Sequence, residues 1–213
     1  MRKCLRITGL WYSRKPKPAS DTALMTKHLE TCPWAQGELY VEYHDTEWGQ
    51  PCYDDHRLFE KLCLEGQQAG LSWITVLKKR PNYRQRFYDF APALVAAMTD
   101  DEIEDCLLDA GLIRHRGKLE AIRKNARAWV AAEKDGLNWS EWLWSFVGGS
   151  PVINRYAELK DCPAQTEESK AMSKALKKLG FGFVGPTTCY AFMQSMGMVN
   201  DHLTSCPLHP DNA

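Results

Sequence analysis

The sequence predicts a mainly α-helical protein with a single globular domain over residues 29–213. Apolar residues recur at helical spacing in successive segments, as in Leu119, Ile122 and Ala126 of one long basic stretch. Helix-start signals precede several segments, and the clearest is the capping-box pattern of Thr99 and Glu102. Alternating β-type runs joined by Asn-Gly or Asp-Gly turns are nearly absent. The 213 residues suffice for one ordinary domain, or for two small lobes that share a core.

The secondary structure is predicted in chain order from these signals. We expect loops and single turns over residues 32–53, because Pro and Gly interrupt a stretch of aromatic and polar residues. Asp54 and Asp55 can cap a helix that begins near His56 and stops at Arg80 and Pro81. The later segments are predicted as helices over 83–90, 91–98, 103–109, 116–134, 141–147, 169–179 and 187–196.

Residues 58–77 are the most informative stretch, because they place a carboxylate, Glu65, in an apolar helix. On a continuous helix Glu65, Ala69 and Trp73 drift only about 80° around the axis, so the carboxylate and the indole share one side. Burying an unpaired carboxylate is costly. Glu65 is therefore either capped by backbone donors or paired with a lysine such as Lys61, or it belongs to a ligand pocket. The pattern does not choose between them.

Charge and cysteine usage limit the partners and the compartment. The formal net charge is zero, which gives no general support for a polyanion partner. Basic residues nevertheless cluster at 78–86, 114–134 and 170–178, either as solvated helix faces or as one basic surface. No apolar run reaches 18 residues, so no membrane role is expected. Eight scattered cysteines without a secretory signal indicate a reducing cytosol rather than a disulfide framework.

Residues 1–28 are predicted to be an extension separate from the domain. They are basic, with no acidic residue before Asp21, and Pro16 and Pro18 interrupt any helix. A disordered and dispensable arm is one interpretation. Translation that naturally starts at Met25 is another, and a mitochondrial-type presequence is less well supported by the pattern.

Four residues near the two ends of the domain form a metal-like set. Cys32 and His44 precede the helical part, and His202 and Cys206 form an H-x3-C pair near the end. Two Cys and two His make a complete tetrahedral zinc set, which is structural because no coordination position is left open. Other histidines and cysteines offer alternatives to this set.

Residues 179–193 contain a glycine-rich turn between two predicted helices. Gly182 and Gly185 enclose the turn, and Pro186 and Thr187 begin the second helix. Glycines allow close approach of a ligand, and free N–H groups at a helix N-terminus bind phosphate. This is the layout of a helix–hairpin–helix clamp for the DNA backbone; an ordinary αα-corner is the alternative.

Six motifs follow one another in order between residues 30 and 206. They are 43–49 (YHDTEWG), 64–80 (LEGQQAGLSWITVLKKR), 110–118 (AGLIRHRGK), 173–178 (SKALKK), 180–185 (GFGFVG) and 199–202 (VNDH). Together they resemble the DNA-3-methyladenine glycosylase I family of helix–hairpin–helix DNA glycosylases.

The resemblance implies a monomeric base-excision repair enzyme of the bacterial cytoplasm, associated with the nucleoid, that releases 3-methyladenine from alkylated double-stranded DNA. It implies one structural zinc, held by Cys32, His44, His202 and Cys206. It places Glu65 in the base pocket as the catalytic residue, and the other pocket residues are Tyr43, Trp48 and Trp73. The expected contacts to the DNA backbone are Lys177, Lys178, Gly182, Gly185 and Thr187.

The expected mechanism has three features. Glu65 serves base recognition and electrostatic stabilisation, and whether it also activates water stays open. Many superfamily members have a catalytic Asp after a Val beyond the hairpin, whereas here Asn200 follows Val199 and Asp201 is offset by one residue. No lysine stands out as a Schiff-base nucleophile, so we expect a glycosylase without strand cleavage. The turn at 110–113 is the candidate wedge that fills the gap in the duplex.

We predict that deleting residues 1–24 leaves activity and melting temperature unchanged, because these residues lie outside every motif. Base release and thermal unfolding of the shortened chain provide the measurement. A large loss of either would contradict a dispensable extension.

Overall fold

The computed structural model describes residues 30–212, and within this range the protein is mainly α-helical, as predicted. The predicted extension at 1–28 lies outside the described residues. Nine α-helices and one two-stranded sheet make up the described part. Their bounds are α1 Glu38–Thr46, α2 Asp55–Gln68, α3 Trp73–Arg86, α4 Pro92–Ala97, α5 Asp100–Leu108, α6 Arg116–Lys134, α7 Trp139–Ser145, β1 Val152–Ile153, α8 Glu167–Lys178, α9 Pro186–Ser195 and β2 Val199–Asn200.

Several predicted helices are confirmed, and local sequence signals explain them. The Thr99 side chain accepts from the Glu102 backbone while the Glu102 carboxylate accepts from the Thr99 amide, so α5 begins with a complete capping box. Helix α6 spans residues 116–134 as predicted, and its apolar face is buried. At its far end Trp129 stacks on Trp139 with ring centroids 4.0 Å apart.

The prediction of loops over residues 32–53 is wrong in its middle, where α1 forms. Gly37, with φ of 84°, precedes the helix, which ends before Glu47. The helix is stable because tertiary packing buries Tyr43 and His44 on its inner side. Its own sequence is polar and only weakly amphipathic, so local pattern gave no signal for it.

The predicted helix from His56 to Arg80 is also wrong, because it is two helices. Helix α2 ends at Gln68, Gly70 turns the chain at φ of 77°, and α3 begins at Trp73. Helix α3 then continues through Pro81 to Arg86. Tertiary contacts hold this last part, since the Tyr83 hydroxyl lies 3.1 Å from Gln67 Oε1 in α2. Glu65 and Trp73 therefore lie on different helices.

Helix α2 is the centre of the fold and packs against α3, α6 and α9. Its side chains Leu58, Phe59 and Leu62 are fully buried. The parallel pair β1 and β2 joins Val152 to Val199 and Ile153 to Asn200. No helix among residues 30–212 is long and apolar enough to cross a membrane.

Candidate functional site

A pocket of about 240 Å³ lies between α1, α2, α3 and α9. The four predicted pocket residues, Tyr43, Trp48, Glu65 and Trp73, all line it. The other lining residues are Trp34, Tyr40, Gln68, Leu159, Cys162, Ala191, Gln194 and Asp201. Its volume is below the roughly 300–1,000 Å³ of drug-sized pockets, so it suits one small ligand.

Five of the twelve residues that line the pocket are aromatic. The Tyr43 and Trp73 ring centroids are 5.5 Å apart at 45°, and Trp34 meets Trp48 edge-on at 5.0 Å. Trp34 also packs edge-on against Tyr40, whose hydroxyl accepts from the Ile74 amide. Trp34 and Tyr40 were not predicted as pocket residues, because they lie outside the six motifs that carry the family resemblance.

Glu65 is the charged centre of the pocket, with only 4% of its surface exposed. Burial raises its pKa from 4.5 to about 7, against the opposing effects of Lys61 and of the Ser195 hydroxyl. A carboxylate held under this penalty gains strongly from a ligand that brings a positive charge.

The alternative that Lys61 is the salt-bridge partner of Glu65 is wrong. Lys61 Nζ lies 2.9 Å from Glu47 Oε1 and donates to the Tyr43 hydroxyl at 2.9 Å. Arg80 continues the chain of charges, since it contacts Glu47 Oε2 at 2.6 Å and Glu60 Oε1 at 2.9 Å. Lys61 was one of the possible partners of Glu65, and it instead completes a buried network with Glu47 and Tyr43.

Cys32, His44, His202 and Cys206 form a buried cluster whose ligand atoms all lie within 4.8 Å of one another. The Cys206 sulfur is 3.5 Å from His44 Nε2 and 3.5 Å from His202 Nδ1. A tetrahedral Zn²⁺ with ordinary Zn–S and Zn–N bonds separates sulfur and nitrogen ligand atoms by about 3.6 Å. The four residues therefore fit a zinc ion.

The histidines of the cluster are oriented by a second layer of contacts. His44 Nδ1 lies 2.7 Å from Asp45 Oδ1, and His202 Nε2 lies 3.3 Å from the Trp48 carbonyl. Such partners fix the nitrogen that faces a metal. Trp48 also stacks on His44 and meets His202 edge-on at 4.7 Å, so one indole separates the cluster from the pocket.

Asp201 lines the pocket but is fully engaged in structural hydrogen bonds. Its Oδ2 accepts from Tyr190 at 2.7 Å and from Gln194 at 2.8 Å, and its Oδ1 accepts from Asn154 at 2.7 Å. Three donors hold this carboxylate in place against the pocket wall.

The residues predicted to contact the DNA backbone lie at one surface. Lys177 and Lys178 are exposed at the end of α8, and Thr187 is exposed in the first turn of α9. Gly185 is the N-cap of α9. Gly182 differs, because its amide donates to Asn125 Oδ1 at 2.8 Å and is already paired within the protein.

The structure does not support the turn at 110–113 as a wedge. Leu112 is buried, and the Ile113 amide is held by the Tyr83 hydroxyl. Leu71 has the exposure that a wedge requires, at 43%, and lies in the turn between α2 and α3. This turn follows pocket residue Gln68 and precedes Trp73.

The described part of the chain is a helical protein whose pocket combines aromatic side chains with a buried carboxylate. The model of the Methyladenine glycosylase family matches residues 34–209, and the chain belongs to this family. The predicted resemblance is thus confirmed.

Curated and solved relatives agree with this assignment. The DNA-3-methyladenine glycosylase of Haemophilus influenzae is 59% identical over 177 residues, or 83% of this chain and 96% of the relative. A crystal structure of 3-methyladenine DNA glycosylase I is 54% identical with a TM-score of 0.84, covering 85% of this chain and all of that one. A variant of 3-methyladenine DNA glycosylase I in complex with 3-methyladenine is 39% identical with a TM-score of 0.81, covering 84% and 97%.

We predict that Glu65→Gln gains stability over the wild type as pH rises from 4.5 to 7. The folded protein keeps the Glu65 proton up to about pH 7, whereas the unfolded chain releases it near 4.5, so wild-type stability falls across this window. The Gln variant has no such loss, so the difference in free energy of unfolding between the variant and the wild type grows by up to about 3 kcal/mol. Urea unfolding of both proteins at pH 5 and pH 8 measures it, and an unchanged difference would contradict the buried, raised-pKa carboxylate.

Proposed function

We propose that this protein is a DNA glycosylase of base-excision repair that releases 3-methyladenine from alkylated double-stranded DNA. The observation that carries the proposal is Glu65, a carboxylate buried in an aromatic pocket sized for one flat ring. Membership of the family and the complex of a similar protein with 3-methyladenine support the substrate.

The pocket requires the base to leave the helix. A glycosylase reaches the N-glycosidic bond only after the nucleotide has been flipped out of the stack. The flipped base would then pack against Tyr43 and Trp73, and such stacking is worth on the order of 1–3 kcal/mol per base. A bound base would displace water from the buried Glu65 carboxylate, which strengthens their electrostatic interaction.

Glu65 supplies charge complementarity to the lesion. Methylation at N3 makes adenine positively charged and weakens its bond to the sugar, because the electrons of that bond return to an electron-poor ring. A buried carboxylate favours this cation over neutral adenine and accepts hydrogen bonds from the base edge. We assign Glu65 to recognition and to electrostatic stabilisation of the departing base.

The same geometry favours a monofunctional enzyme. A Schiff-base nucleophile must expose a free amine to the sugar, and no lysine amine of residues 30–212 lines the pocket. Lys61 is near, but its ammonium is buried and paired with Glu47. Release of the base would therefore leave an intact strand with an abasic site.

We assign the DNA contacts to a helix–hairpin–helix clamp formed by α8, the glycine-rich turn and α9. Lys177 and Lys178 bring positive charge, while Gly185 and Thr187 bring the free amides of the α9 N-terminus to a phosphate. In place of the turn at 110–113, we propose that Leu71 enters the duplex next to the pocket and fills the gap left by the flipped base. The enzyme would act as one domain over 29–213, as a monomer on the nucleoid DNA of a bacterial cytoplasm.

We also propose that the four-residue cluster holds one structural zinc per chain. Cys32 and His44 lie before α2, and His202 and Cys206 lie after β2, so bound zinc would tie the two ends of the domain together. With four protein ligands the ion has no open position, so its contribution is to folding.

We predict that the wild type releases free 3-methyladenine from methylated DNA and that Glu65→Ala reduces the single-turnover rate by about 100-fold or more. The control is Glu42→Ala, which removes an exposed carboxylate from α1 and retains wild-type activity. Chromatography of the released base measures all three proteins. No release by the wild type would leave a lesion-binding protein without catalysis, and nicked DNA without alkali treatment would contradict the monofunctional assignment.

Two groups of variants distinguish the residues proposed to bind the DNA backbone from the residue proposed to enter the duplex. Lys177→Ala and Lys178→Ala should weaken binding to damaged and undamaged duplexes alike and reduce the slope of log K against log salt by about 1 each. Leu71→Ala should lower base release while binding to undamaged duplex stays the same. Fluorescence anisotropy over a salt series, with excision in parallel, distinguishes them, and unchanged excision by Leu71→Ala would contradict the wedge.

We predict about one zinc per purified chain, because the donor set is complete and buried. Cys206→Ala or prolonged chelation should release the metal and lower the melting temperature, although neither treatment alters Glu65 or a residue of the pocket wall. Elemental analysis and thermal unfolding check this. Much less than one zinc per chain would remove the zinc assignment.

A further inference from the structure

Lys61 is a fully buried lysine directly behind the pocket wall. Its Nζ atom lies 4.3 Å from the Tyr43 ring centroid and 4.6 Å from the Trp73 ring centroid. The same atom donates to the Tyr43 hydroxyl at 2.9 Å and pairs with Glu47 at 2.9 Å. One ammonium thus contacts both aromatic side chains that are expected to hold the base.

Stability gives a weak reason for a charge at this position. Burying an ammonium costs several kcal/mol before its partners compensate, and apolar residues of similar volume often serve as well or better. The neighbours of Lys61 in α2 include Leu62 and Leu64, which show the apolar alternative in the same core. Glu47 does not require Lys61, because Arg80 contacts its other oxygen at 2.6 Å.

The network around Lys61 leaves its ammonium little freedom to move. Glu47 is held by Arg80, and Arg80 is held by Glu60, which also accepts from Arg84 at 2.6 Å. Burial alone would raise the pKa of Glu47, but Lys61 and Arg80 lower it to about 2. The Glu47 carboxylate therefore stays charged at neutral pH. Burial lowers the pKa of Lys61, and the charge of Glu47 opposes that fall.

Lys61 also lies one helical turn before Glu65 in α2, so the two charges share a helix face. Other titratable or polar groups also act on this carboxylate from every side of the pocket. They are Tyr40 and Tyr43 of α1, Glu47 after α1, Arg80 of α3 and Ser195 of α9. Asp201, after β2, lines the same pocket.

We propose that Lys61 is a positioning residue for base excision, which rests on the proposed glycosylase function: its ammonium fixes Tyr43 and Trp73 as pocket walls and supplies the positive charge that accompanies Glu65. The ring faces turned toward Lys61 are occupied, so the base must use the remaining surface of each ring. The pocket is then arranged before the base enters, which reduces the cost of binding. Burial raises the pKa of Glu65 and Lys61 opposes that rise, so the lysine increases the ionised fraction of Glu65 at neutral pH.

The test compares Lys61→Met, which keeps length without charge, with Lys61→Arg, which keeps the charge. Lys61→Met should lower the single-turnover excision rate by about 10- to 100-fold while affinity for DNA with an abasic-site analogue stays near that of the wild type. The acidic limb of its rate–pH profile should move to higher pH, because Glu65 protonates more readily without the cation. Lys61→Arg should restore the position of that limb. Leu143→Ala, a buried apolar truncation in α7, is the control for lost stability alone.

A second readout is independent of excision. Glutamate labelled with ¹³C gives the ionisation midpoint of Glu65, assigned with Glu65→Gln, and Lys61→Met should raise this midpoint. If the wild type releases no base, the proposed function fails, and the midpoint still tests Lys61. The inference would be overturned if Lys61→Met showed the same rate–pH profile and the same Glu65 ionisation midpoint as the wild type. Failure of both Lys61→Met and Lys61→Gln to fold would also overturn it, since the lysine would then serve stability.

Discussion

The structure depends on how α2 buries three charged side chains, Glu60, Lys61 and Glu65, at the centre of an apolar core. Two of them are neutralised by long-range partners, since Arg80 pairs with Glu60 and Glu47 pairs with Lys61. Glu65 has no salt-bridge partner among the described residues, and its pKa is raised accordingly. Glu65 faces the pocket without an ion pair of its own, although the charge of Lys61 acts on it from one helical turn away. A cationic base would supply that ion pair.

The pocket and the Cys/His cluster are built from neighbouring residues. Helix α1 places Tyr43 and His44 next to each other, so that one faces the pocket and the other joins the cluster. Trp48 lies between the pocket and the cluster, and it contacts both His44 and His202. Any metal that fixes the cluster therefore also fixes two walls of the pocket. A structural ion far from the reacting bond would act on the chemistry through this shared wall.

A mechanism based on binding follows from the inventory of carboxylates. Within the described part of the chain, Glu65 and Asp201 line the pocket, and Asp201 is held by three hydrogen-bond donors. Under the proposed helix–hairpin–helix assignment, Asn200 stands where many members of that superfamily have a catalytic aspartate. The proposed enzyme would then suit a labile substrate, with charge complementarity and exclusion of water supplying most of the rate.

The sequence by itself determined the helical class and the helices α5 and α6, because periodicity and capping are local properties. It also pointed to the four residues of the Cys/His cluster and to four pocket-lining residues, but it missed Trp34 and Tyr40. The pocket role of Glu65 needed the family motifs, since spacing alone left it undecided. Tertiary structure decided that α1 forms, that the chain turns at Gly70, and that Lys61 binds Glu47 and Tyr43 rather than Glu65. Each of these outcomes rests on contacts between residues distant in sequence, whose burial outweighs the weak local preferences.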